Sequence, residues 1–295
     1  MNLGVQTLLE NAYADCFLAG SAPSRHGHIC ITTLYLCNEI KNDMTKKEEA
    51  QAKREAKLAL EKARTEEMKS YERSLEGVTL ICGIDEAGRG PFAGPVVAGA
   101  VILDINDPDK EILYLNDSKK LSEKKREMLY RELLSKAVAV GVGYSGAMLI
   151  DKINILQATY AAMRMAISNL QNTADIVTDD ADTHTLVKSL IKREISKDSE
   201  NSAPVIPEYI LADAVHIPDI DIPQTGIIKG DAKSISIAAG SIIAKVTRDH
   251  IMYEYDSQYP EYGFASHKGY GTAAHIAAIR EHGLLDIHRR SFIHL

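Results

Sequence analysis

The stretch from Val78 to Leu103, VTLICGIDEAGRGPFAGPVVAGAVIL, constrains the fold more than any other part of the chain. Two apolar runs rich in β-branched residues flank a short acidic, glycine-rich centre, a pattern that predicts strand, tight connection, strand. Asp85 and Glu86 stand side by side at the end of the first run. Adjacent carboxylates beside a buried sheet repel each other and lose hydration, so something positive must offset them, and a divalent cation is the simplest candidate. The next residues, Gly88, Arg89 and Gly90, let the backbone approach a bound molecule closely and offer it amides, with one guanidinium suited to phosphate.

Four further blocks follow in order: NDSKKL at Asn116 to Leu121, LADA at Leu211 to Ala214, IIKGDAKSISIAAGSIIAKVTRD at Ile227 to Asp249, and SHKGYGTAAH at Ser266 to His275. Together with DEAGRGPFAGPVVAGAVIL, these blocks resemble the signature of ribonuclease HII, the type 2 ribonuclease H family. The resemblance covers roughly residues 79–295, interrupted by one insertion at 171–207. It implies an α/β fold, a ribonuclease H-like mixed central sheet flanked by helices, with a helical C-terminal part. An N-terminal helical extension precedes it. Sequence pattern alone supports only alternating strands and helices. Three domain-level segments are expected: 1–43 of open role, 44–78 as a charged helical extension, and 79–295 as the catalytic domain.

With 295 residues, 45% of them hydrophobic, the chain has ample material for a core. Its net charge of −7 argues only weakly against a nucleic-acid partner, because binding depends on local basic patches and a catalytic acidic cluster adds to the negative side. No apolar run approaches the roughly 18 to 20 residues of a membrane span, and the N-terminus lacks the basic start of a secretory signal. A soluble, cytoplasmic, monomeric protein is expected. Cys16, Cys30, Cys37 and Cys82 form no CxxC pair and read as reduced.

Taken in order, residues 1–43 are mixed. His26 and His28 near Cys30 and Cys37 fit no usual zinc spacing and read as loop and strand residues; the abrupt change of composition at Met44 raises the alternative of a start there. From Thr45 to about Glu76 the chain is dense in Lys, Arg, Glu and Ala, which predicts a helix with a thin apolar seam of Ala56, Leu60 and Ala63 and an i,i+4 pair of Glu49 and Lys53. This helix reads as a solvated element or as an arm whose Lys53, Arg54 and Lys57 touch a nucleic-acid backbone. Ser122 is the expected N-cap of a helix to about Lys136, AVAVGVGYSG the next strand, and Ile153 to about Leu170 a helix with Leu156, Tyr160, Met163, Ile167 and Leu170 in the core. The polar, acid-rich segment 171–207 reads as a surface insertion, and its Asp179, Asp180 and Asp182 lack a rigid frame for a metal.

EYILAD, Glu208 to Asp213, is a second short β-run ending in a carboxylate, and IPQTGIIKGD is expected to deliver Asp231 at the end of a third. Asp231 also precedes a predicted helix, Ala232 to about Ser257, and the residues alone favour reading it as an N-cap. Tyr259 to Gly271 is expected as a loop in which Lys268 and Tyr270 present a charge and a flat face to a sugar-phosphate backbone. A helix from Thr272 to Glu281 and a solvated basic tail with Arg289 and Arg290 close the chain.

Asp85, Glu86, Asp213 and Asp231 thus make a set of hard oxygen ligands, favouring Mg²⁺ or Mn²⁺ over zinc. The resemblance implies a two-metal endoribonuclease cutting the RNA strand of an RNA/DNA hybrid duplex, or a DNA duplex containing ribonucleotides, on the 5′ side of a ribonucleotide to leave 3′-OH and 5′-phosphate ends. By the same resemblance, Gly88, Arg89 and Gly90 read the 2′-OH, the group that separates RNA from DNA, and Tyr270 packs on the neighbouring sugar. Lys119, Lys229 and Lys268 are candidate phosphate contacts, and Asp249 is expected to pair with a nearby basic group. The alternatives are a ribonuclease HIII-like enzyme, whose motif normally differs at Arg89 and Pro91, and a noncatalytic nucleic-acid-binding module of the same fold.

Overall fold

The structure, a computed structural model, describes residues 46–172 and 204–295. The His26, His28, Cys30 and Cys37 reading, the Met44 alternative and the acidic residues Asp179, Asp180 and Asp182 lie outside the described residues. By its contacts the chain divides into two units, residues 1–60 and 61–295.

The Lys- and Glu-rich run forms helix α1, Lys46–Met68, followed by the single turn α2, Ser70–Arg73. The expected seam is not buried: Ala56, Leu60 and Ala63 are all exposed. Their spacing is helical, but alanine offers too little apolar area to drive burial, and the helix instead buries Thr65 and Met68 at its C-terminal end.

In the second unit the two apolar runs of the opening stretch form β1, Ile81–Ala87, and β2, Val96–Ile102, an antiparallel pair. After helix α3, Glu123–Lys136, come β3, Ala139–Ser145, helix α4, Ala147–Ser168, the two-residue β4, Gln171–Asn172, then β5, Tyr209–Asp213, and β6, Gln224–Ile227. Ser122 does sit at the N-cap of α3, although its side chain makes no capping bond. Helix α4 begins six residues earlier than Ile153 because Asn154 takes a left-handed φ of 69°, joining two helical segments across a kink. Leu156, just beyond the kink, is exposed, whereas Met163 and Leu170 are fully buried.

The six strands lie in the order β4-β3-β2-β1-β5-β6. β1, β2, β3 and β4 pair antiparallel, while β5 and β6 run parallel to β1. This is the mixed sheet that the resemblance implies. Helix α5, Ile235–Gln258, covers one face with α3, and α4 covers the other. Close approach is built in through glycine. A methyl group on Gly83 would lie 2.0 Å from the carbonyl carbon of Ser236, and one on Gly99 2.5 Å from the Gly240 carbonyl oxygen, so α5 rests on the sheet backbone to backbone.

The expected loop from Tyr259 to Gly271 is more ordered than the sequence suggested: a 3₁₀ turn, Pro260–Tyr262, and a short helix α6, Phe264–His267, precede α7, Ala273–His282. Tyr262 and Phe264 stack at 5.4 Å and anchor a separate apolar cluster with Met252, Ala278 and Ile279, which supplies the burial that a solvated loop would lack. The end of the insertion is joined to the residue before it, since the Val205 amide donates to the Leu170 carbonyl at 2.8 Å.

Candidate active site

Two parallel strands and one turn bring the acidic residues together. Asp85 lies near the C-terminal end of β1 and Asp213 at that of β5. The register pairs Gly83 with Leu211 and Ile84 with Ala212, so one step further on Asp85 and Asp213 face the same side. That is the side covered by α5, because Leu211 packs with Ile237. Asp231 arrives differently from the expectation. β6 stops at Ile227, and Asp231 sits in a 3₁₀ turn, Gly230–Ala232, immediately before α5. The turn is held to β5, since the Gly230 amide donates to Asp213 Oδ1 at 2.7 Å. Nor is Asp231 the cap of the helix. Ser234 caps it, its hydroxyl accepting from the Ile237 amide at 3.2 Å.

One oxygen each from Asp85, Asp213 and Asp231 fall within 4.8 Å of one another. Glu86 stands beside this group, its Oε1 accepting from Arg89 at 3.2 Å. Burial, with the added charge of Glu86, pushes the Asp85 carboxyl up to about 8. Burial likewise raises Glu86, and burial with the charges of Asp117 and Asp213 raises Asp231. Each shift has one physical meaning: negative charge is crowded where water cannot compensate it.

Sequence reasoning passed over three supporting groups. Ser241 of α5 lies near enough to the Asp85 carboxyl to oppose the rise that burial causes in it, and its hydroxyl donates to that of Ser118 at 3.0 Å. Asp117, in the NDSKKL block, lies near Asp231, and its charge raises the Asp231 carboxyl. A serine buried on a helix carries no sequence signal of its own; Asp117 lay inside a recognised block and was read only as loop.

The remaining site residues fall into two sets. Gly90 and Tyr270 are neighbours, a methyl group on Gly90 lying 3.7 Å from the Tyr270 ring, and Tyr270 is 49% exposed. Gly88 has a φ of +92°, and a side chain there would meet Arg248 Nε at 2.0 Å, so glycine is required twice over. Lys119 is exposed, and its charge is felt by Glu86 and Asp231. Lys229 is exposed beside the Asp231 turn. Lys268 is already engaged: its ammonium lies 3.9 Å from the Tyr253 ring centre and donates to the Ala265 carbonyl. Asp249 is paired as expected, 2.7 Å from Lys245 and 3.9 Å from Arg126. The tail expectation holds for Arg290, which is exposed, and fails for Arg289. Arg289 is fully buried, its guanidinium bonded to the carbonyls of Gly88, Arg89 and Gly94.

The family model described as Ribonuclease HII matches residues 82–295. The chain belongs to the ribonuclease HII family. It is 53% identical over 237 residues to a ribonuclease HII of Lachnoclostridium phytofermentans, covering 80% of this chain and 79% of that protein. A ribonuclease HII of Bacillus thuringiensis is 50% identical over 234 residues, covering 79% and 77%. The fold is also similar to the crystal structure of the ribonuclease H2 from Pyrococcus horikoshii, with a TM-score of 0.50 at 24% identity over 72% of this chain and 92% of that one. As a ribonuclease HII, the chain is an endoribonuclease of the type 2 ribonuclease H class acting on RNA/DNA hybrids.

Ribonuclease HII enzymes are metal-dependent, and the residues present fit a metal. The donors are carboxylate oxygens, hard ligands suited to hard divalent cations. Glu86 Oε2 is buried without a hydrogen-bond partner, and the raised pKa values of Asp85, Glu86 and Asp231 mark a deficit of positive charge. A bound cation would relieve both.

Proposed function

We propose that this ribonuclease HII incises on the 5′ side of ribonucleotides, in long hybrids and singly embedded in DNA, leaving 3′-OH and 5′-phosphate ends. The observation that carries this reading is the convergence of Asp85, Asp213 and Asp231, drawn from distant parts of the chain, within 4.8 Å. These three, with Glu86, would hold Mg²⁺ or Mn²⁺, which when bound supplies the Lewis acidity that activates water and stabilises the leaving oxygen.

The chain's own residues do the rest. The Gly230 amide and the Glu86 amide, each donating at 2.7 Å, fix the orientation of Asp213 and Asp85, so the carboxylates are set before substrate arrives. Gly90 lies next to Tyr270, and with Gly88 and Arg89 they form a wall that reads the ribonucleotide: backbone groups and Arg89 address the 2′-OH and phosphate, and the exposed ring packs on the next sugar. Lys119 and Lys229 contact the phosphate backbone from positions free to do so. Lys268, turned onto Tyr253, acts by bracing the Tyr270 loop. The enzyme is read as a cytoplasmic monomer with 79–295 as its catalytic domain and 44–78 as a helical extension. Among the described residues no helix is long and apolar enough to cross a membrane.

The test is incision of a duplex carrying one ribonucleotide, and of a long hybrid, in Mg²⁺ and in Mn²⁺. The wild-type protein should cut both, and Asp85→Asn should abolish cutting. Undiminished activity of Asp85→Asn, or no incision by the wild type, overturns the reading.

A further inference from the structure

The tail residues His288 and Arg289 are adjacent in sequence, yet they bind two different parts of the wall described above. Arg289 donates to Gly88 O at 2.6 Å, to Arg89 O at 2.8 Å and to Gly94 O at 3.0 and 2.8 Å. Its guanidinium therefore closes the loop between β1 and β2 from beneath, through carbonyls on both sides. The main chain adds to this, with Arg289 N donating to Phe92 O at 2.7 Å and Gly94 N to Ile287 O at 2.9 Å.

His288 reaches the other part. Its Nδ1 accepts from the Leu285 amide at 2.9 Å, so the neutral ring carries its proton on Nε2, which faces His275 Nε2 at 3.1 Å. His275 Nδ1 lies 2.9 Å from the Tyr270 carbonyl, which can only accept, so that nitrogen holds the proton and Nε2 is free to accept from His288. The direction of the whole chain is thereby fixed: Leu285 N–H to His288, His288 to His275, His275 to Tyr270 O. His275 and His288 are fully or almost fully buried, and burial holds both below the usual histidine range, consistent with neutral rings.

We propose that His288 and Arg289 are positioning residues for ribonucleotide recognition, setting the distance between the Gly88–Gly90 backbone and Tyr270. This rests on the reading of that wall given under Proposed function. A buried arginine with five donors and carbonyl partners is a costly device for packing alone; its planar fork fixes the direction of the carbonyls it binds, and lysine could not reproduce that geometry. Neither residue touches the carboxylates, so the pair should govern how substrate is held more than how fast the bond is broken.

The experiment is steady-state incision of a duplex with one embedded ribonucleotide by the full chain, comparing wild type, Arg289→Lys, His288→Gln and His288→Phe, with thermal melting of each. Arg289→Lys keeps the charge and loses the fork; glutamine keeps one donor and one acceptor for the Leu285 and His275 bonds, and phenylalanine keeps neither. Arg289→Lys and His288→Phe are expected to raise KM about tenfold while kcat stays within about threefold, and His288→Gln to recover most of the loss. Unchanged KM in Arg289→Lys and His288→Phe overturns the inference, as does a fall in kcat matching the rise in KM, or a His288→Gln protein no better than His288→Phe. If His288→Phe does not fold, Arg289→Lys decides alone on the same KM criterion. Failure of the wild type to incise would instead overturn the reading of the function.

Discussion

Ser241, on the second turn of α5, stands beside the carboxyl of Asp85 on β1, with its hydroxyl donating to Ser118 Oγ at 3.0 Å. Its polar hydroxyl opposes the rise in the Asp85 pKa that burial causes, and it lies outside the group of carboxylates. Removing it should loosen the carboxylate and favour its protonated form. Ser241→Ala is expected to weaken divalent-cation affinity by about tenfold, the lower end for loss of an outer-shell partner, read by titrating Mn²⁺ against incision rate, with activity largely recovered at saturating metal.

The crowded carboxylates also predict how the metal-free protein responds to pH. The Asp85 carboxyl is held at about 8 in the folded state against an ordinary value of 3.8, and Glu86 and Asp231 shift the same way. A group whose folded pKa is raised lends its stability fully below the unfolded value and loses it as pH rises through the folded one. With chelator present, the melting temperature should therefore fall between about pH 4 and pH 8, and Mg²⁺ or Mn²⁺ should restore more at pH 8 than at pH 5. A melting temperature independent of metal at pH 8 would contradict the assignment of these residues as ligands.

Glu72 ties α2 to the start of α5, its Oε1 accepting from Ser234 Oγ at 2.6 Å and from the Ser236 amide at 3.0 Å. A buried carboxylate at a helix N-terminus meets the positive end of the dipole, one orphan amide and the hydroxyl of the capping serine. Glu72→Ala should cost about 1 to 3 kcal/mol, measured by denaturant unfolding. Because α5 follows directly on the Asp231 turn, activity at saturating metal should fall with it.

Tyr270 stands 49% exposed beside Gly90. Tyr270→Ala should impair single-ribonucleotide substrates more than long hybrids, since a long hybrid offers other registers to bind. Equal losses on both in kcat/KM would remove the ring from ribonucleotide sensing.

Much of this was legible beforehand, for identifiable reasons. β1, β2 and β5 could be read because short β-branched runs end in charged residues, and Asp85 and Asp213 are side by side because both close such runs. Asp231 does lie with Asp85 and Asp213, but in a turn and not at the expected strand end, since a turn after Ile227 leaves no periodicity to read and Lys229 takes a left-handed φ of 57°. Arg289 was invisible as a functional neighbour. A basic pair near a chain end has the composition of a solvated tail, and only the fold reveals that carbonyls of Gly88, Arg89 and Gly94 surround it.

The glycines under α5 carry a last consequence. A methyl group on Gly240 would meet Gly99 O at 2.7 Å and Asp85 N at 3.2 Å, so between helix and strand there is no cushion of side chains to yield. In most cores a methylene gained or lost is absorbed by neighbours that rotate. Here main chain bears on main chain, and the gap separating Asp85 from Ser241 is inherited from peptide dimensions. Redesign of the surrounding hydrophobic interior should therefore change how firmly the molecule holds together while leaving the spacing of the clustered carboxylates untouched.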